Sequence, residues 1–185
     1  MRKATRAVRL AGLAAVVVAA TLGGMGHAQT KPAAKVDDFQ LADQDYLARR
    51  LYKMKDAKAV VLVTYAAGDA TVRADAPALM SLKSAFGPRG VEFMMLNSRL
   101  GDSREKVSAD ARAAGLQLPI LFDYNQLVGE SLGVTRAAEA IVIDPRDWQI
   151  AYRGPVSGAK AALDGLAAGE RPRLAAQPAR GGVIA

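Results

Sequence analysis

Runs of apolar residues divide the chain into the strands of a predicted sheet. The run at 59–65 (AVVLVTY) is continuous and rich in β-branched residues. It therefore predicts a strand buried on both faces, as in the middle of an α/β sheet. Further strands are predicted at 91–96, 118–122, 140–143 and 148–152, and a weaker alternation at 37–52 predicts a hairpin.

Amphipathic segments separate these strands. They predict helices over about 70–86, 102–114, 125–132 and 159–168, of which the first contains Pro77. Asp102 and Glu105 form a capping-box-like pair at the start of the second helix. Strands that alternate with helices predict an α/β fold, with a central mixed β-sheet and helices on both faces.

The first 28 residues have the pattern of a bacterial secretory signal. Four basic residues precede an apolar run at 10–22, and Gly26-His27-Ala28 predicts cleavage before Gln29. We therefore expect a periplasmic or secreted protein without a membrane span. The expected organisation is a signal peptide at 1–28, a flexible lead-in at 29–36, a domain at 37–169 and a disordered tail at 170–185.

Charge and composition exclude several function classes. The signal segment carries four basic and no acidic residues, so its removal lowers the formal net charge from +7 to +3, which does not favour nucleic-acid binding. The chain has no cysteine, and its one histidine, His27, lies in the predicted signal. The mature chain therefore has no thiolate nucleophile, no imidazole base and none of the usual zinc or copper ligands. We expect neither a cofactor nor a metal.

The order of the elements resembles the thioredoxin fold. Five stretches resemble the redoxin branch, which is the alkyl hydroperoxide reductase/thiol-specific antioxidant (peroxiredoxin-like) family: 60–65, 90–98, 118–123, 132–136 and 141–145. The resemblance covers about residues 36–169. It implies an oxidoreductase or antioxidant ancestry.

The active positions of that family are altered here. The resemblance places the family's cysteine at Asp69, and Pro77 follows eight residues later, as a proline does in thioredoxin-like proteins. A second cysteine would fall at Val72 and the family's cis-proline at Ala138. A further C-terminal cysteine would fall within 181–183, so this sequence is a degenerate member.

Five residues form the rim of the vestigial active site that the resemblance implies: Asp69, Arg73, Arg136, Ala138 and Glu139. None is assigned a catalytic role. Four of them also have a plainer interpretation, which we favour for Asp69 and the two arginines. Asp69 would be a helix N-cap, the arginines would be solvated, and Glu139 would be an exposed residue at the start of a strand.

The leading hypothesis is a pseudoenzyme that acts as a binding or scaffolding module, with a protein partner from an envelope redox system. One alternative is an oxidoreductase that works with a partner's thiol. The other is a small-ligand binder that uses the old pocket, with Asp69 and Arg73 at its floor. The residues assign no oligomeric state and identify no partner.

Overall fold

The computed structural model describes residues 35–184. The predicted signal peptide and most of the predicted lead-in lie outside these residues. The elements in chain order are β1 (Gln40–Ala42), β2 (Ala48–Arg50), β3 (Ala59–Tyr65), α1 (Ala70–Phe86), β4 (Val91–Asn97), α2 (Arg104–Ala113), β5 (Ile120–Phe122), α3 (Leu127–Ser131), β6 (Glu139–Asp144), β7 (Gln149–Pro155) and α4 (Ala159–Ala167).

The central sheet has five strands in the order β5-β4-β3-β6-β7, and β1 and β2 form a separate hairpin. β3, β4 and β5 run parallel, whereas β6 is antiparallel to β3 and β7 is antiparallel to β6. The predicted mixed α/β sheet is therefore confirmed. All seven residues of β3 are buried, as its uninterrupted apolar pattern predicts.

The two faces of the sheet are covered unequally. Side chains of α1, α2 and α4 pack on one face, where alternate residues of β3 such as Val61 and Val63 join the larger core cluster. The other face, with Val60 and Leu62, is covered by α3 and by residues around the β1–β2 hairpin. No helix among residues 35–184 is both long enough and apolar enough to cross a bilayer.

The segment 170–184 differs from the prediction of disorder. The amide of Leu174 donates to the carbonyl of Ala151 (2.8 Å), and the amide of Gln177 donates to that of Arg153 (2.9 Å). The segment therefore lies along the outer edge of β7. Its arginines explain the order: the guanidinium of Arg173 donates to the Asp147 carboxylate (2.8 Å), in the turn between β6 and β7. The arginines that predict disorder for an isolated segment are here paired with an acidic turn.

Candidate functional site

Asp69 lies in the turn between β3 and α1, and it caps the helix. Its backbone is extended, and its Oδ1 atom accepts a hydrogen bond from the amide of Val72 (2.9 Å). This geometry satisfies one of the free N–H groups at the helix N-terminus. Its Oδ2 atom accepts a second hydrogen bond, from the amide of Gly182 in the C-terminal segment (2.8 Å). Asp69 is therefore both a cap and a contact for that segment.

Two other carboxylates hold the same turn. Asp102 accepts a hydrogen bond from the amide of Ala67 (2.9 Å), and Asp110 accepts one from the amide of Gly68 (2.9 Å). The predicted capping box at Asp102 is wrong, because the side chain that caps α2 is Ser103, which accepts from the amide of Lys106 (3.2 Å). The Asp102 carboxylate points back to the turn instead, so the backbone donors beside position 69 are occupied.

Asp110 is the centre of a partly buried network. The hydroxyl of Tyr65, which is 0% exposed, donates to Asp110 Oδ2 (2.6 Å), and the guanidinium of Arg73 pairs with Oδ1. Burial opposes ionisation of Asp110, but the hydrogen bonds from Tyr65, Arg73 and Gly68 outweigh it, so its pKa lies below the usual value. Burial, and then the hydrogen bond to Asp110, raise the pKa of Tyr65. Asp110 is therefore an anion that holds a neutral phenol.

Asp102 is stabilised as an anion in the same way. Its Oδ2 atom also accepts from the side-chain amide of Asn97 (3.0 Å), and its Oδ1 atom accepts from the ammonium of Lys106 (2.8 Å). Burial raises its pKa, but these contacts, together with the amide of Ala67, lower it further than burial raises it. Two negative charges thus stand behind the turn that carries Asp69.

The loop 135–138 forms the opposite wall of the site. Ala138, where the resemblance places the family's cis-proline, has a positive φ of 56°, and no cis peptide bond occurs among residues 35–184. The loop is fixed to the end of β3. The carbonyl of Thr64 accepts a hydrogen bond from the amide of Ala138 (2.9 Å), and the hydroxyl of Thr64 donates to the carbonyl of Arg136 (2.7 Å). The unfavourable backbone of a non-glycine residue is tolerated because these contacts hold it.

The end of the chain lies between these two walls. The amide of Ala137 donates to the carbonyl of Gly182 (2.9 Å), and the amide of Ile184 donates to that of Thr135 (2.9 Å). Arg136 and Val183 form an antiparallel bridge between them. The Arg136 guanidinium also donates to the carbonyl of Gly181 (3.1 Å). The C-terminal segment thus covers the space between Asp69 and the loop.

Two of the five predicted rim residues, Asp69 and Arg136, contact the same C-terminal segment, and Ala138 lies next to them in the loop but is buried against β3. Arg73 does not join them, because its guanidinium turns away to Asp110. Glu139 does not join them either, and its plainer interpretation as an exposed strand start is also wrong. It is 6% exposed and forms a two-pronged ion pair with Arg153 (2.8 and 2.7 Å). Since successive strand residues alternate between faces, Glu139 lies on the face of Ile141, away from α1.

The sequence reasoning missed the roles that several residues have at the site: Tyr65, Asp102, Asp110 and the glycine pair 181–182. The acidic residues lie 35 and 42 positions from their partners in the turn, so no local pattern connects them. The glycine pair was visible, but it was assigned to a disordered tail. Within residues 35–184, no three acidic or histidine side chains come together as metal ligands.

A surface groove lies at the other end of α1. It is lined by residues that include Ser84, Pro88, Phe93 and Pro119. It shares no residue with the turn at Asp69 or with the loop 135–138. The groove therefore does not belong to the vestigial site.

Comparison with known proteins identifies the family. The model of the AhpC/TSA family matches residues 32–154. No curated protein matches the sequence. A hypothetical protein from Sinorhizobium meliloti superimposes with a TM-score of 0.75 at 21% identity, over 83% of this chain and 93% of that one.

Two further solved structures carry redox names. The peroxidoxin BcpB from Mycobacterium tuberculosis gives a TM-score of 0.61 at 25% identity, over 75% of this chain and 97% of that one. The thioredoxin domain of a thiol-disulfide oxidoreductase from Bacteroides vulgatus gives 0.57 at 16% identity, over 65% and 85%. The predicted thioredoxin-like fold is confirmed. Because the family model matches about two thirds of its length, the chain belongs to the AhpC/TSA family.

Proposed function

We propose that this protein is an exported, non-catalytic binding module built on a redoxin domain. One observation carries the proposal: Asp69 stands at the position of the family's cysteine in a chain that has no cysteine at all. Export rests on the signal pattern of residues 1–28. The proposed partner is a protein of an envelope redox system.

Thiol chemistry has no reactant in this chain. Peroxide or disulfide reduction by this family's route needs a thiolate that is oxidised, and a carboxylate cannot take its place as an electron donor. The amides of Ala67 and Gly68 bind the carboxylates of Asp102 and Asp110, so those N–H groups are not directed at an anion in the site.

The same site retains the features of a binding surface. Asp69 and the loop 135–138 lie on either side of the C-terminal segment, and the space between them is hereafter the groove. They present to it a carboxylate oxygen together with backbone donors and acceptors. Such a groove recognises polypeptide backbone without any chemical step.

The two alternatives are less well supported. A small-ligand site with Asp69 and Arg73 at its floor is disfavoured, because both oxygens of Asp69 accept backbone hydrogen bonds and Arg73 pairs with Asp110. An oxidoreductase that borrows a partner's thiol also requires a bound partner. That alternative therefore also depends on the binding of a partner, which is the step that we propose.

Two measurements on the purified mature protein test the proposal. Without a partner and with metals removed, it should consume peroxide and reduce disulfides no faster than the blank. When it is cross-linked in a bacterial envelope extract, it should capture a defined partner. Arg136→Glu, which reverses a charge beside the groove, should abolish this capture, whereas Arg112→Glu, an exposed arginine in the last turn of α2, should preserve it.

The outcomes separate the two parts of the proposal. Peroxide turnover by the pure protein would refute the non-catalytic assignment. Equal capture by both variants would refute a binding role for this groove, and no capture above background by the wild-type protein would refute the envelope partner.

A further inference from the structure

The residues 178–184, hereafter the plug, lie on the site as a ligand would. The plug runs antiparallel to the loop 135–137 through hydrogen bonds between Ala137 and Gly182 and between Ile184 and Thr135. It also donates the amide of Gly182 to Asp69. These contacts use backbone groups of the plug, so they recognise an extended chain rather than particular side chains.

Two glycines are required for this contact. A Cβ atom on Gly181 would lie 2.2 Å from the carbonyl oxygen of Ala137, and a Cβ atom on Gly182 would lie 2.9 Å from Asp69 Oδ2. The contact at Gly181 would be with the backbone of Ala137, which is itself fixed, so no side chain fits at position 181 without displacing the plug. The groove therefore selects a strand that has no side chain at the position of Gly181 and at most a very small one at the position of Gly182.

The segment before the plug is fastened to the domain. Arg171 and Arg173 both donate to the carboxylate of Asp147, and the amide of Gln177 donates to the carbonyl of Arg153. Gly154 makes room for this path, since a Cβ atom there would lie 2.8 Å from the Cβ atom of Gln177. The fastened segment delivers the plug to the groove at a high effective concentration.

Charge also favours the closed position. Burial raises the pKa of the Asp75 carboxyl, the positive charge of Arg180 opposes this shift, and the negative charge of Asp69 adds to it. The plug therefore brings a cation towards the side of α1 that carries Asp69 and Asp75.

We infer that the plug is an intramolecular competitor that keeps the site closed, and that a partner opens it by supplying an extended segment with a glycine pair. This inference rests on the proposed binding function and specifies the chemistry of the partner. The family match ends at residue 154, so the plug lies outside the part of the chain that the family model describes.

The test uses the full mature chain and a labelled peptide with the sequence of residues 177–184, QPARGGVI. In Gly181→Val the chain's own plug cannot seat, whereas Ala176→Val adds comparable bulk at an exposed residue of the same segment. Fluorescence anisotropy should show that the glycine variant binds the peptide at least ~10-fold more tightly than the wild type and the Ala176→Val control. A peptide with valine at the position of Gly181 should bind to none of them.

Equal peptide affinity of the glycine variant and the wild type would overturn the inference, and so would the absence of binding by a variant whose circular dichroism is native. Amide hydrogen exchange of the wild type gives a check that does not depend on any variant. The amides of Ala137 and Ile184 should be protected and should exchange together, faster than those of β3. Exchange of both only at the rate of global unfolding, or no protection at all, would contradict a plug that closes and opens.

These results are separable from those on the proposed function. If partner capture depends on Arg136 but the peptide does not bind, the binding function stands and the plug is not a competitor. If the peptide binds but no partner is captured, the groove is functional as a peptide site and the envelope partner is wrong.

Discussion

Asp69 has two structural roles, and substitutions at this position separate them. Its Oδ1 atom caps α1 through Val72, and its Oδ2 atom holds the plug through Gly182. Serine is as good an N-cap as aspartate, but its single short hydroxyl cannot serve both amides. Asp69→Ser should therefore retain the cap and release the plug, whereas Asp69→Ala should lose both.

The expected magnitudes follow from the contacts. The hydrogen bond to Gly182 is partly exposed and should contribute about 1 kcal/mol, since net hydrogen bonds are typically worth about 0.5–1.5 kcal/mol. Loss of the charge at the helix N-terminus adds roughly 0.3–1 kcal/mol. Asp69→Ser should thus lower the free energy of unfolding by about 1–2 kcal/mol, and loss of the cap in Asp69→Ala should lower it by about 1 kcal/mol more.

Urea denaturation gives the free energies, and amide exchange measured by NMR gives the local effect. In Asp69→Ser the amide of Gly182 should lose protection while that of Val72 keeps it. In Asp69→Ala both should lose it. Unchanged protection of Gly182 in Asp69→Ser would refute the role of this carboxylate in holding the plug. Equal stability of the serine and alanine variants would refute its role as a cap.

Three other predictions concern the carboxylates behind the turn. Asp110→Ala removes the carboxylate that accepts from the buried hydroxyl of Tyr65 and from the amide of Gly68, so it should lower the free energy of unfolding in urea by about 2–4 kcal/mol. The double variant with Tyr65→Phe should lose clearly less stability than the sum of the two single variants. Asp102 and Asp110 have lowered pKa values in the folded state, so the stability that they contribute is present above about pH 4 and should be lost as the pH falls through their folded pKa values. In thermal melts, the melting temperature of the Asp110→Ala variant should therefore depend less steeply on acid pH than that of the wild type. Asp69→Cys should place a thiol near the carboxylates of Asp102 and Asp110, so its pKa, measured from the rate of alkylation against pH, should be at or above that of an ordinary cysteine. A clearly lowered pKa would contradict the assignment of both carboxylates as anions.

The fold could be predicted because its signals are local and agree with one another. The run at 59–65 is apolar on both faces, and the strand that it forms is buried on both faces. The glycine and proline residues near 87–90 mark the end of α1 where the periodicity predicts it. Even the position of Asp69 at the helix start follows from its residue type and from the turn that precedes it.

The site was only partly predictable because its decisive contacts are not local. Asp69 accepts from an amide 113 residues away, and nothing in the sequence near position 69 indicates that partner. The tail was predicted to be disordered from its proline, arginine and glycine content, which is a sound inference for an isolated segment. The structure supplies what composition omits, namely an acidic turn at Asp147 for Arg173 and a free edge of β7 for the backbone.

The contacts at the site depend on one another. The amides of Ala67 and Gly68, just before Asp69, donate to the carboxylates of Asp102 and Asp110, and these carboxylates are paired with Lys106 and Arg73. A carboxylate at position 69 is tolerated there because an amide from the plug binds its second oxygen. The plug in turn fits only because two of its residues lack side chains. The turn, the start of α1 and the C-terminal segment are therefore coupled through Asp69, whose carboxylate accepts from the amides of both Val72 and Gly182.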